Sequence, residues 1–256
     1  MNLAILVLAA GKGTRMESDL PKVLHPLLSR PLIAHVLDAA RQLHPTRLIC
    51  IVGYRAELVE AEVKRAYPEV EFVNQGEMLG TGHAVLQAKT ALEGFDGEVL
   101  VTCGDAPLLT AETLFDLVER REQSDASAAM LVGRLDDPAR YGRVIMAPGG
   151  EVERIVEWKD ASDEERSVET VNAGTYVFRS QELWKQLARV TNSNASGEYY
   201  LTDVIGLLRA DEGKVVGILV SEREMTGVNT RAELAQLEQE LTEEARLMAE
   251  NEAMPS

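Results

Sequence analysis

The chain has 256 residues, enough for one large α/β domain or two small ones, and 45% of them are hydrophobic, so a sizeable core can be buried. Lys and Arg total 26 against 42 Asp and Glu, a formal charge of −16, which argues against non-specific binding to nucleic acid or an anionic membrane. The two cysteines, Cys50 and Cys103, lie in apolar runs, and His25, His35, His44 and His83 form no metal-binding spacing, so reduced thiols, no zinc site and a cytoplasmic location are expected.

The first predicted element is a strand over 3–9, a continuous apolar run of the kind buried on both faces of a parallel sheet. No basic segment precedes it, and its glycines stop it far short of the ~20 residues of a membrane span. A helix over 31–43 follows, with Leu32, Ile33, Val36, Leu37, Ala40 and Leu43 on one stripe. Then come a strand over 48–52, a helix over 57–66, a short strand over 70–73 and a helix over 82–92. A strand over 98–102 and a helix over 111–121, with Thr110 as its N-cap, complete the first half. Strands alternating with helices imply right-handed βαβ units, hence a Rossmann-like α/β fold: an open, mostly parallel sheet with helices on both faces. Ligands on such sheets bind outside the carboxyl ends of the strands. "GKGTR" at 11–15 and "CGDAP" at 103–107 both follow strand ends and should share one crevice.

The second half reads differently. Strand patterns over 128–135, 143–146, 152–157 and 171–178 are separated by the turns "DDPARYG", "APGGE" and "DASDEER". They suggest antiparallel additions to the sheet and a smaller, mixed α/β lobe on the substrate side. Helices over 180–189 and 202–208 and a strand over 215–220 follow. A last helix runs from Thr230 toward Glu250, with Leu234, Leu237, Leu241, Ala245 and Met248 at three- and four-residue spacing. Residues 230–252 hold seven acids and two arginines, which predicts a docked apolar stripe under a solvated acidic face, or a partner contact. The tail "NEAMPS" should fray.

The loop "LAAGKGTRM" at 8–16 is neither a P-loop, because Gly13 is followed by Thr14 and Arg15, nor a G-x-G-x-x-G fingerprint, because position 16 is Met. Small residues at Ala9 and Ala10 let backbone N–H groups touch a ligand, and Arg15 and Lys22 can neutralise phosphates. A tight βα turn with surface cations would look the same.

These residues, continued through "LPKVL" at 20–24, resemble the nucleotidyltransferases that make nucleotide sugars. More narrowly, they are similar to the N-acetylglucosamine-1-phosphate uridyltransferase domain of the bacterial bifunctional enzymes. "QGEMLGTGHA", "CGDAPLL", "DDPARYGR", "IVEWKDA", "VNAGTYVF", "NASGEYYLTD" and "GVNTR" follow in the family's order, so the resemblance covers residues 3–231. It implies a uridyltransferase domain over 1–229, with a nucleotide-binding lobe at about 1–125 and a sugar-side lobe at about 126–229, then a helix and tail over 230–256. No hexapeptide repeats follow. The β-helix domain, its acetyltransferase activity and the trimer it builds are therefore not expected; a monomer is, with weak association through the last helix as the alternative.

The resemblance assigns Leu8, Ala9, Ala10, Gly11, Gln75, Gly80 and Thr81 to the nucleotide and Arg15 and Lys22 to catalysis. Gly104, Gly142, Glu157 and Asn172 go to the sugar. Mg²⁺ is the implied cofactor, with Asp105 and Asn229 as its ligands, since Mg²⁺ takes few carboxylates and completes its shell with water and phosphate oxygens. Read locally, Thr81 could be a helix N-cap, Asp105 a turn-former, Glu157 a surface charge and Asn229 a cap of the last helix. His83 reads as a packing or capping residue. The family often has Tyr where this chain carries Cys103, whose thiol lacks the phenol's reach. The implied reaction is UTP plus N-acetylglucosamine 1-phosphate giving UDP-N-acetylglucosamine and pyrophosphate. The alternatives are another sugar-1-phosphate nucleotidyltransferase, for example one using glucose 1-phosphate, or a nucleotide-sugar binding protein without turnover.

Overall fold

The apolar run at the N-terminus forms strand β1 (Leu3–Ala9), whose residues through Val7 are at most 1% exposed. Burial of such side chains contributes about 1.5–3 kcal/mol each for Leu, Ile and Val. The computed structural model describes residues 2–252. After β1 a short hairpin, β2 (Pro26–Leu27) and β3 (Arg30–Pro31), leads into α1 (Leu32–Arg41). Then follow β4 (Arg47–Val52), α2 (Ala56–Ala66), β5 (Glu71–Asn74), α3 (Thr81–Gln87), β6 (Glu98–Cys103) and α4 (Ala111–Gln123). The second half contains β7 (Ala128–Arg134), β8 (Arg143–Met146), β9 (Val152–Val156), α5 (Asp163–Arg166), β10 (Thr170–Arg179), α6 (Ser180–Leu187) and α7 (Asp203–Ala210). It ends with β11 (Val215–Leu219), α8 (Glu222–Met225) and α9 (Arg231–Glu252).

The main sheet runs β11-β7-β10-β6-β1-β4-β5, and β8 and β9 hang from β10 to complete nine strands. β1 pairs in parallel with β4 and β6, and β4 with β5. β10 is antiparallel to both β6 and β7, whereas β11 is parallel to β7. The expected antiparallel additions are found: β10 pairs antiparallel with β6, β7 and β8, and β8 with β9; β11, expected only as a strand, pairs in parallel with β7. The second half does not build a separate sheet: β7, β10 and β11 extend the first one. Among the described residues no helix is long and apolar enough to cross a membrane.

Period-two alternation divides the core between the two faces of the sheet. Leu3, Ile5 and Val7 pack with Val36 and Leu37 of α1, Val59 and Val63 of α2 and Leu114, Leu117 and Val118 of α4. Ala4 and Leu6 face the other layer, with Val85 of α3, Leu183 of α6 and Val204, Ile205 and Leu208 of α7. Helix α3 is shorter than the apolar stripe suggests, because the chain turns after Gln87. Two helices inside predicted loops, α5 and α8, carry serine N-caps; α5 has a full capping box between Ser162 and Glu165. The S-x-x-E spacing was present in "DASDEER". Thr110 caps α4 as expected, accepting from the Thr113 N–H at 3.1 Å.

The stripe of α9 docks only over its first half. Leu234, Leu237 and Leu241 pack on Leu27, Leu32 and Val228, but Ala245 is exposed and Met248 is 66% exposed. The helix continues through Asn251 and Glu252; the rest of the tail lies outside the described residues.

Candidate active site

The strand order reverses at β1: the chain passes to β4 and β5 on one side, then returns to β6 on the other. Loops leaving β1 and β6 diverge at that point and open a crevice, as they do at the switch point of doubly wound sheets. A cavity of about 360 Å³ occupies it, lined by Leu8, Ala9, Ala10, Gly11, Lys22, Val23, Gln75, Met78, Gly80, Thr81, Ala84, Cys103, Asp105 and Glu198. "GKGTR" and "CGDAP" do share one crevice. A larger, open hollow of about 670 Å³, lined by Arg41, Arg47, Glu69 and Glu71 among others, lies at the opposite edge of the sheet, where β4 begins. Its arginines are paired with its glutamates.

At the charged part of the site, the chain leaves β1 through Gly13 at φ +65°, where a Cβ would sit 2.5 Å from the Cβ of Lys22. Glycine is therefore required by its dihedral and by the close approach. A 3₁₀ turn over Thr14–Met16 presents Arg15, and a second over Lys22–Leu24 presents Lys22. Lys22 pairs with the Asp105 carboxylate just beyond β6, and both are about four-fifths buried. Lys22 Nζ also donates to Asn229 Oδ1 at 3.0 Å, and Arg15 Nη2 donates to the same oxygen at 2.8 Å. Asn229 is thus not the cap of α9. Thr230 takes that place, accepting from the Glu233 N–H at 3.1 Å, while Glu233 accepts from the Asn229 N–H at 2.7 Å.

Asp105 and Asn229 fit a divalent metal by their chemistry. The pair supplies one carboxylate and one neutral oxygen, and the Lys22 ammonium already sits on both, so the two oxygens converge on a position that holds a cation. Among the described residues no cluster of three or more His, Cys, Asp and Glu could hold a metal alone. That excludes a closed protein cage there and suits Mg²⁺, which draws most of its ligands from water and phosphate.

A neutral part of the cavity is made by "LGTGHA". Gly80 has φ +113°, and a Cβ there would lie 2.6 Å from the Tyr199 carbonyl. That close approach lets Tyr199 N–H donate to Leu79 O and Gly82 N–H donate to Tyr199 O, both at 2.8 Å. Thr81 does not cap its helix: its hydroxyl accepts from the Leu201 N–H at 3.0 Å. Gln75, 4% exposed, donates through Nε2 to Gly80 O at 3.0 Å. His83 packs beside the Gln75 amide and tilts against the Tyr199 ring.

The sugar-assigned residues form a second group. Because β10 runs against its neighbours, its N-terminal end reaches the edge where the other strands finish, and Asn172 arrives there. The register of β10 slips between Asn172 and Tyr176, with Gly174 at φ +73° beside the Cys103 sulfur. Asn172 donates to the Tyr176 hydroxyl at 2.6 Å, accepts from the Gly174 N–H at 3.0 Å, and gives its own N–H to Gly142 O at 2.9 Å. Glu157 accepts from the Thr202 hydroxyl at 3.0 Å. Burial pushes its pKa above the ordinary carboxylate value, partly offset by that hydrogen bond. Gly142 packs on Glu157, whose Oε2 would lie 3.5 Å from a Cβ at that position. Trp158 is flanked by the guanidiniums of Arg140 and Arg166, at 5.2 and 4.8 Å from the ring centre.

Gly104 donates to Leu8 O at 2.9 Å and so joins β6 to β1 rather than presenting a side chain. Cys103 connects the two groups: it lines the cavity and its sulfur reaches Gly174 O at 3.7 Å. Burial, then the Asp105 charge, push its thiol up to about 12, so it stays protonated at neutral pH. Glu198 and Thr202, both in "NASGEYYLTD", had no assigned role. The pairing of Lys22 with Asp105 was also unforeseen, since the two are far apart in sequence.

The MobA-like NTP transferase domain family matches residues 5–204. A bifunctional protein GlmU of Ruegeria sp. (strain TM1040) is 48% identical over 93% of this chain and 52% of its own length. That of Enterococcus faecalis (strain ATCC 700802 / V583) is 45% identical over 91% of this chain and 51% of its own. The chain spans about half the length of these curated relatives, which are the bifunctional proteins the motifs resemble. Among solved structures, a UDP-glucose pyrophosphorylase complexed with UDP-glucose superposes with a TM-score of 0.77 at 17% identity, covering 95% of this chain and all of that one. A putative glucose-1-phosphate thymidylyltransferase from Bacillus anthracis gives a TM-score of 0.73 at 20% identity, covering 93% and 94%. At these identities the two share the fold alone. By the family match across most of its length, the chain belongs to the MobA-like NTP transferase domain family.

Proposed function

We propose that the protein transfers a uridylyl group from UTP to N-acetylglucosamine 1-phosphate, giving UDP-N-acetylglucosamine and pyrophosphate. The observation that carries this reading is a cavity lined by both the Lys22–Asp105 pair and the Gln75, Gly80 and Thr81 group, with Arg15 and Asn229 hydrogen-bonded onto that pair from outside the lining. Such a crevice suits a triphosphate at its charged end and a base at its neutral end. The GlmU relatives, of whose length this chain spans about half, support the nucleotidyltransferase family on which this choice of substrates rests.

The phosphate oxygen of the sugar phosphate is ionised at neutral pH, so no general base is required. It attacks the α-phosphorus of UTP in line; the new P–O bond forms as the bond to the β-phosphate oxygen breaks, and its electron pair leaves with pyrophosphate. Arg15 and Lys22 offset the charge on the triphosphate and on the leaving group. Backbone N–H groups around Ala10 and Gly11 grip the nucleotide, and Glu157 and Asn172 orient the sugar. Mg²⁺ held by Asp105 and Asn229 with phosphate oxygens would neutralise charge and polarise the α-phosphoryl group.

The test is a matrix of nucleoside triphosphates against sugar 1-phosphates, read as pyrophosphate release. UTP with N-acetylglucosamine 1-phosphate should be fastest. A preference for glucose 1-phosphate or another base would replace the assigned substrates, and binding without release would favour a non-catalytic protein.

A further inference from the structure

The first residue of α9 reaches back to the loop that follows β1. Arg231 Nε donates to Met16 O at 2.8 Å and Nη2 donates to Glu17 O at 2.9 Å. These are the last carbonyl of the 3₁₀ turn that carries Arg15 and the one just after it. Met16 is fully buried beneath this turn, and Glu17 adopts φ +47°, a left-handed conformation that costs a non-glycine residue about 1 kcal/mol or more. A planar guanidinium binding two successive carbonyls fixes both the position and the direction of the turn. Two residues before Arg231, the Asn229 oxygen receives Arg15 and Lys22. The same short segment thus touches the turn from beneath and its cation from above.

We infer that Arg231 is a positioning residue for the reaction: it clamps the Met16 and Glu17 carbonyls so that Arg15 is held beside Asn229 in position to meet the triphosphate. Arg231 itself spends its Nε and Nη2 on backbone carbonyls. The clamp matters because a phosphate-binding arginine on a free loop would have to be ordered each time the nucleotide arrives, and small misplacements at a phosphoryl group are costly. Docking of α9 supplies the anchor: Leu234, Leu237 and Leu241 hold the helix on Leu27, Leu32 and Val228. Glu238 accepts from the Leu28 N–H at 2.9 Å, away from the turn.

This inference rests on the uridylyl-transfer reading for the choice of ligand only. Its test is a double-mutant cycle of Arg15→Ala and Arg231→Ala, read as UTP affinity by calorimetry and as kcat and KM for each substrate. Arg231→Ala should weaken UTP binding about tenfold, with KM for the sugar phosphate within about twofold. The double variant should be no more than about twofold worse than Arg15→Ala alone, because both changes remove one function. Arg231→Lys, which can reach one carbonyl at a time, should recover part of the loss. Glu238→Ala, which removes a contact of the same helix to another segment, should stay within about twofold of wild type. Multiplying losses, a loss equal for both substrates, or an equal loss in Glu238→Ala would overturn the positioning role in favour of general helix docking. If the substrate matrix selects a different nucleotide, the cycle is run with that one, so failure of the uridylyl reading and failure of the clamp are told apart.

Discussion

The two ends of the crevice use opposite means. In the charged group, Arg15, Lys22 and Asn229 sit on turns and loops, reach one another through long or exposed side chains, and come from chain segments more than 200 residues apart. In the group the resemblance assigns to the sugar, Asn172 and Tyr176 are joined along β10, and Glu157, just after β9, accepts from Thr202 at the start of α7, with Tyr176 only 3% exposed. The first end must exchange partners, because Lys22 cannot hold Asp105 and a triphosphate equally well. The second can stay as it is, since a rigid buried polar set discriminates by what it leaves unpaired. On the proposed reading, charge chemistry therefore sits on turns and loops, and sugar recognition on strands and a helix start.

Substitutions can break this contrast, beginning with the largest effect. Asp105→Asn should lower kcat about 10³-fold or more while the thermal transition stays within a few degrees; near-normal pyrophosphate release would remove Asp105 from the metal site. Lys22→Ala should cost about 10- to 100-fold in turnover, and a loss below twofold would reduce Lys22 to a structural partner of Asp105.

At the sugar end, Glu157→Gln should raise KM for the sugar phosphate about tenfold and leave KM for UTP nearly unchanged. It should also stabilise the fold at neutral pH. The Glu157 pKa is raised on folding by burial, so the unfolded chain gives up this proton first. Wild-type stability then falls as pH rises from the ordinary value of 4.5 through the raised one. Glutamine carries no such cost, so its melting advantage should be present at pH 7.5 and vanish near pH 4; an advantage independent of pH would refute the burial argument.

Gly13→Ala should cost about 1–2 kcal/mol in a denaturant titration, since it forces both a left-handed alanine and a clash with Lys22. The smallest effect belongs to Met248→Ala on the exposed end of α9, expected within about 0.5 kcal/mol of wild type.

The parallel half of the sheet was readable because its signal is local. The apolar run of β1, the stripe of α1 and the Thr110 cap each lie within a few residues of one another. "GKGTR" and "CGDAP" could be sent to one crevice because strand ends in such a sheet face the same way. The parallel pairing of β11 with β7 was not legible, because strand direction depends on which partner a strand finds and not on its own pattern. Asn229 shows the same limit at the scale of one residue. As a residue beside a helix start it reads as a cap, yet Thr230 caps α9 and Asn229 turns inward to Arg15 and Lys22.

The amino-acid sequence by itself determined the element types, the βαβ order and the residue types suited to phosphate, base and sugar, because helix and strand periodicity and loop chemistry are short-range properties. Only the tertiary structure decided that Lys22 rests on Asp105, that the reversed β10 delivers Asn172 to the crevice, and that Arg231 ties the last helix to the first loop. Those contacts join residues distant along the chain, and packing of the sheet, not any local preference, brings them within hydrogen-bond reach.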